Sequence, residues 1–279
     1  MSYKIIIDSC GELTDEMKKD GHFQSVALEL DVDDYHITDD ESFDQLEFLK
    51  RVKASKNSPK SSCPSPQRYM EAFASDAEHI YVVTLSAKLS GSYNSAVLAS
   101  NLYAEDHADK HIYVVDSKSA SIGETLIGLK IQELEEAGLS FEAIKEKTER
   151  YVEEQHTFFV LETLDTLRKN GRLSNLKALV AGALNIKPVM GSTPEGSICQ
   201  LDQARGIGKA LDRMVKEVIS KTSNCEQRML AISHCNCPER AQLVKEKLEQ
   251  VAAFKDIIIV NTAGVSTMYA NNGGIIIVA

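Results

Sequence analysis

No stretch of this sequence approaches the roughly 20 consecutive apolar residues that a membrane-spanning helix needs. Positive charge is also scarce: 31 Lys and Arg face 41 Asp and Glu, a net charge of −10. That balance argues against nucleic acid as a partner, because binding a phosphate backbone demands a basic surface. The opening residues MSYKIIIDS carry neither the apolar segment nor the cleavage site of an export signal. They read directly as a first strand, and the cytosol is the expected compartment. Cysteine is sparse and scattered, at Cys10, Cys63, Cys199, Cys225, Cys235 and Cys237. Without an export signal, that spacing predicts reduced thiols rather than a disulfide framework. His234, Cys235 and Cys237 gather soft metal ligands in SHCNC, but zinc sites usually pair two such clusters. The sequence has no second cluster, so no metal is expected and the segment reads as a strand end and loop.

The motifs of common nucleotide and acyl-transfer chemistries are missing as well. There is no G-x-x-x-x-G-K-[ST] loop to cradle phosphates and no G-x-S-x-G nucleophile elbow. RGIGKAL offers one G-x-G without its third glycine, inside a helical pattern. The seven histidines, at 22, 36, 79, 107, 111, 156 and 234, mostly lie in polar stretches away from the serine-glycine loops. A serine nucleophile needs a base within hydrogen-bond reach, and the sequence nominates none. Neither a catalytic residue nor a cofactor is called for.

What is present is an orderly alternation. At 279 residues and 43% apolar content, the chain is long enough for two domains or one large α/β unit. YKIIID, QSVALEL, HIYVVTL and IYVVD are apolar runs of strand length, separated by helical patterns such as ESFDQLEFLKRVKAS. In that helix Ser42 and Gln45 are placed to form a capping box. Gly138 reads as the stop of one later helix and Ser140 as the N-cap of the next. The alternation predicts a parallel sheet covered by helices. After residue 156 the texture changes to a hairpin around Pro194-Glu195-Gly196 mixed with helices and strands. The expectation is an α/β protein with a parallel-sheet N-terminal domain over 1–155 and an α+β C-terminal domain over 156–279. Two strands end alike, at Asp8-Ser9 and Asp116-Ser117. Ligands of open α/β sheets bind at such ends, but Asp-Ser is also a common turn signal, and the turn is the leading reading.

Serine-rich loops at helix starts remain. KSSCPSPQRYMEAF carries Ser61, Ser62 and Ser65, with Ser65 at the N-cap and Pro66 at N1 of a helix. LSGSYNSAVLAS places Ser90 at or near the N-cap of another, with Gly91 allowing close backbone approach. A helix start presents free N–H groups and partial positive charge, which suits a carboxylate or phosphate. Two such starts facing each other would bind a small anionic head without lysine or arginine. Serine also caps helices everywhere, so each loop by itself is open to a purely structural reading. A hydrolase or transferase with a Ser61 or Ser90 nucleophile, and a phosphate- or nucleotide-binding module, are the competing classes.

KIIIDSCGEL, KSSCPSP, TLSAKLSGSYNSAVLAS, YVVDSKSAS, LRKNGRLSN and NIKPVM follow one another in an order and spacing that resembles the DegV family. The resemblance implies a two-domain protein holding one long-chain fatty acid in a buried tunnel that the C-terminal domain closes. Its better-understood members are the fatty-acid-binding subunits of a bacterial fatty acid kinase, which present the acyl carboxylate to a separate ATP-dependent subunit. On this resemblance Ser61 and Ser90 grip the carboxylate, Ser62 and Gly91 neighbour it, and Arg172 faces the kinase partner. FFVL and ALVAGAL become tunnel wall or ordinary core. Departures accompany the match. Cys63 stands where glutamine is frequent, and Met268, in VSTMYANNGG, stands where the family commonly has a histidine.

Overall fold

The computed structural model describes residues 2–173 and 185–279. The first part of the chain runs β1 (Tyr3–Asp8), α1 (Asp15–Lys19), β2 (Phe23–Val26), β3 (Glu29–Val32), β4 (Tyr35–Thr38), α2 (Gln45–Ala54) and β5 (Lys60–Ser62). It continues with α3 (Pro66–Phe73), β6 (His79–Thr84), α4 (Ser92–Asp106), β7 (His111–Asp116), α5 (Ile122–Glu136) and α6 (Phe141–Glu154). The apolar runs of the sequence form a four-stranded parallel sheet in the order β2-β1-β6-β7. Every residue of β6 is buried, as expected of a parallel strand covered on both faces. Alternation sends Ile5 and Ile7 to one face, against Ile127 and Ile131 of α5. Ile6 turns to the other, against Tyr69 and Ala72 of α3 and Ala96 and Ala99 of α4.

The second part runs β8 (Thr157–Val160), α7 (Asp165–Lys169), β9 (Ile186–Ser192), β10 (Ile198–Arg205), α8 (Ile207–Lys221) and β11 (Met229–His234). It ends with α9 (Pro238–Glu249), β12 (Asp256–Asn261), α10 (Gly264–Ala270) and β13 (Ile275–Val278). Its six strands form a mixed sheet in the order β10-β9-β8-β13-β11-β12, in which only β11 and β12 pair in parallel. Leu211, Met214 and Val218 of α8 and Val244 and Leu248 of α9 cover one face. On the other face, Ile122 and Leu126 of α5 meet Ala231 and Val278. Helix α5 therefore serves both sheets, and all of Ile122 to Gly128 is buried.

Two local expectations are corrected. QSVALEL is not one strand: the chain leaves the parallel sheet after Val26, where the Leu28 amide donates to Ser9 Oγ (2.9 Å). It then enters a separate antiparallel sheet, β4-β3-β5. The capping box of Ser42 and Gln45 does not form. Asp44 caps α2, accepting from the Glu47 amide at 3.0 Å, and Ser42 Oγ turns to Asp40 Oδ1 at 2.6 Å. Gln45 instead donates across the fold to Thr262 O (3.0 Å) and Thr267 Oγ1 (3.0 Å). Helix α10, within the segment read only for its missing histidine, has no strong local signal and is held by these remote partners. The hairpin at Gly196 forms as expected between β9 and β10. The second run, ALVAGAL, lies outside the described residues.

Candidate functional site

Strands β1, β6 and β7 are parallel, so their carboxyl ends share one edge of the sheet. The two aspartates there act on backbone. Asp8 accepts from the amides of Cys10 (3.1 Å) and Leu85 (2.9 Å), tying two loops together. Asp116 accepts from Ala87 (3.0 Å) and Lys118 (3.1 Å) in the same way. The turn reading of both Asp-Ser pairs is the one these bonds support.

Those loops, β5, α7, α10 and the inner face of β8, β9 and β13 enclose a cavity of about 320 Å³. Ser61, Ser62, Ser90, Gly91 and Arg172 all line it. They come from three separate segments, and the fold brings them together. Ser61 sits opposite Leu30 in the β3–β5 pairing, and its Oγ lies 3.4 Å from Tyr269 Oη. Ser65 caps α3 as expected, accepting from the Arg68 amide. Gly91, not Ser90, is the N-cap of α4. Ser90 stands one residue earlier, where its Oγ accepts from the Ser92 amide (3.2 Å) and lies 3.1 Å from Ser92 Oγ. A Cβ at Gly91 would come within 3.0 Å of Cys63 Sγ, so glycine is what lets the two serine loops meet. Ser86, in the same run, is turned away and donates to Gly196 O (2.9 Å).

Arg172 follows Gly171, whose φ of +76° suits glycine. Its guanidinium donates to Leu89 O (3.1 Å) and Asn170 O (2.6 Å), and its Cζ lies 5.9 Å from the centre of the Tyr269 ring. Asn170 in turn donates to Pro59 O (2.9 Å), strapping this turn to the Ser61 strand. In FFVL the alternation of β8 splits the residues: Phe158 and Val160 belong to the core beneath α8, while Phe159 and Leu161 line the cavity.

Further hydroxyls line the same cavity, but most of them point into the protein. Ser119 Oγ and Thr157 Oγ1 are 2.6 Å apart. Ser266 Oγ donates to Cys10 O at 3.0 Å. Ser121 Oγ donates to both oxygens of buried Glu12, at 3.0 and 2.9 Å. Their commitment leaves carbon facing the cavity, alongside Leu85, Phe159, Leu161, Leu167 and Ile276. Beneath this wall, burial pushes the Glu12 carboxyl up to about 7 and that of Asp39 up to about 6. Burial, with Asp8 next in weight, raises Glu124 well above the ordinary carboxylate range. The arrangement suits an apolar chain with one small polar head.

Sequence reasoning missed Tyr269. Met268 is buried in α10 against Leu30, Phe48 and Leu85, and the next side chain reaches the cavity instead. The helical twist of about 100° per residue makes that difference, and without a predicted helix there was no signal for it. At SHCNC, His234 Nδ1 accepts from the Cys237 amide (3.2 Å), as in a turn. No group of three His, Cys, Asp or Glu side chains suited to a metal ion occurs among the described residues.

A family model described as "Uncharacterised protein, DegV family" matches residues 2–279. A DegV domain-containing protein of Streptococcus pneumoniae is 37% identical over 254 residues, 91% of this chain and 89% of that one. Among solved structures, a DegV-family protein from Ruminococcus gnavus with vaccenic acid superposes with a TM-score of 0.98 at 58% identity, covering 100% of both chains. The fatty acid kinase (Fak) B3 protein of Streptococcus pneumoniae, loaded with linoleic acid, gives a TM-score of 0.90 at 35% identity, over 100% of this chain and 99% of that one.

Proposed function

The chain belongs to the DegV family, and on that premise we propose that it is a non-catalytic fatty-acid-binding protein. One long-chain fatty acid occupies the cavity, with its carboxylate at Ser61, Ser62, Ser90 and Gly91. Residues 1–155 supply the head-group loops, and residues 156–279 close the wall along the chain. The observation that carries this reading is the unequal treatment of the hydroxyls. Those at the wall are turned into the protein, whereas Ser61 has only a loose 3.4 Å contact. The fatty acids in the Ruminococcus gnavus and Streptococcus pneumoniae structures support it. The neighbours of Ser61 and Ser90 are the hydroxyls of Tyr269 and Ser92, which are poor general bases.

Burying a long chain at about 0.8 kcal/mol per CH₂ gives ample affinity, so the ligand should survive purification. Denaturing extraction and mass spectrometry of the purified protein should recover a saturated or mono-unsaturated fatty acid. Folded protein that is lipid-free and takes up no added oleic acid would overturn the reading.

The kinase component among the similar structures supports a hand-off of the carboxylate to a separate ATP-dependent kinase, met on the side of Arg172. Acyl-phosphate formation from loaded protein, kinase and ATP, beside an Arg172→Ala variant, tests that step. Turnover with fully loaded protein should fall in the variant by more than any loss of fatty acid affinity.

A further inference from the structure

We propose that Tyr269 is a head-group ligand, whose phenolic hydroxyl donates to the carboxylate together with Ser61 and thereby selects free acids over their esters. The proposal rests on the fatty-acid reading above and adds to it a residue that the motifs do not contain.

The geometry around the hydroxyl carries the argument. Hydroxyl–hydroxyl bonds are normally about 2.7–2.8 Å long, and the Ser61 Oγ to Tyr269 Oη separation is 3.4 Å. Each oxygen therefore has a proton that is not well spent on the other. An acceptor placed between them would draw both, and a carboxylate oxygen accepts more than one bond. Arg172, its Cζ 5.9 Å from the centre of the Tyr269 ring, adds positive charge on the same side of the cavity. Among the described residues, its guanidinium makes no ion pair with a carboxylate, its bonds going to the carbonyls of Leu89 and Asn170.

The phenol is also held in place rather than free to swing away. Asp39 accepts from the amides of Gly264 (2.7 Å) and Val265 (2.9 Å), fixing the start of α10 to the loop after β4. Thr267 bonds to Thr262 Oγ1 (2.7 Å) and accepts from Gln45, fixing the middle. Asn271 Nδ2 donates to Tyr269 O (3.1 Å) at the end. The ring packs into the apolar clusters on both sides, with Leu85 and Met268 in one and Phe159 and Leu161 in the other. Only the hydroxyl is left for a ligand. A preset donor of this kind loses little entropy on binding.

Tyr269→Phe keeps the ring and removes the donor. Affinities for oleic acid and for methyl oleate are measured by displacement of a fluorescent acyl probe, with melting temperature followed in parallel. The unmodified protein should prefer the acid. In the variant, acid affinity should fall about tenfold to a hundredfold, the loss of one charge-assisted hydrogen bond, while ester affinity and melting temperature hold. Equal loss for acid and ester would reduce Tyr269 to a packing residue and overturn the proposal. Unchanged acid affinity would overturn it too. An unmodified protein that binds neither ligand would instead remove the lipid reading itself, and this proposal with it.

Discussion

The cavity is lined by two sets of hydroxyls that are chemically alike and placed to opposite effect. Ser119, Ser121, Ser266 and Thr157 each close a hydrogen bond within the protein. Their oxygens serve stability, and the cavity meets their carbon. Ser61 and Tyr269 sit 3.4 Å apart with no short bond between them, and Ser90 holds only a 3.1–3.2 Å contact with its neighbour two residues on. A hydroxyl lining a cavity is thus no sign of a polar ligand until its partner is known. An unmade bond costs little where water or a ligand can reach, and about 1–3 kcal/mol where neither can.

The sharpest way to break this comparison is to remove the loose set. A Ser61→Ala, Ser90→Ala double variant should weaken fatty acid binding by a hundredfold or more, about 3 kcal/mol, in direct titration. Its stability should fall by no more than about 1 kcal/mol, since Ser90 gives the Ser92 amide a single weak bond. A large fall in melting temperature with affinity unchanged would make these serines structural.

The committed set should answer in reverse. Ser121→Ala removes a donor shared by both oxygens of buried Glu12, and a partner of Ser233 Oγ at 2.8 Å. Stability should drop by about 2 kcal/mol in denaturant unfolding, with the preference for free acid over methyl ester unchanged. A lost preference would place Ser121 among the ligand contacts.

Glu12 sharpens the same contrast through pH. It titrates near 7 in the fold against 4.5 in the unfolded chain. Between those values the fold holds a proton that the unfolded chain has released. The stability it contributes below about pH 4.5 is therefore lost as pH rises through about 7, with a slope of at most about 1.4 kcal/mol per pH unit. Asp39, near 6 against 3.8, acts with the same sign at lower pH. His156 and His234, lowered by burial, act with the opposite sign, giving stability that is lost as pH falls. Subtracting the curve of a Glu12→Gln variant isolates the first term, and a flat difference between pH 4.5 and 7 would show that Glu12 is ionised throughout.

The smallest effect belongs to Ser65, four residues from Ser61 in the same loop. Its hydroxyl caps α3, so Ser65→Ala should cost about 1 kcal/mol of stability and leave fatty acid affinity unchanged. Weaker binding would mean that capping and ligand binding are coupled through the loop.

Much of this was legible in the chain. Strands β1, β6 and β7 are short apolar runs rich in Ile and Val, and a parallel sheet buried on both faces leaves such runs little alternative. Ser65-Pro66 and Gly138 mark helix ends because caps and stops act within one turn. Ser61, Ser90, Gly91 and Arg172 were found through helix starts and motif order, and all line the cavity. Other features were not legible. Gln45 read as half of a capping box until its partners proved to lie more than 200 residues away. Helix α10 has no cap signal of its own, so the exchange of Met268 for Tyr269 at the cavity had no local trace.

The division follows from the range of the forces. Periodicity, caps and turns are settled between residues a few positions apart, so the sequence alone determined most of the elements, the parallel arrangement of β1, β6 and β7, and the serine loops that line the cavity. Which hydroxyl is spent and which is spare depends on pairs such as Ser121 with Ser233, 112 residues apart, and Ser61 with Tyr269, 208 apart. A hydroxyl rotates to whatever acceptor the folded chain sets beside it, and only the tertiary structure decided which acceptor that is.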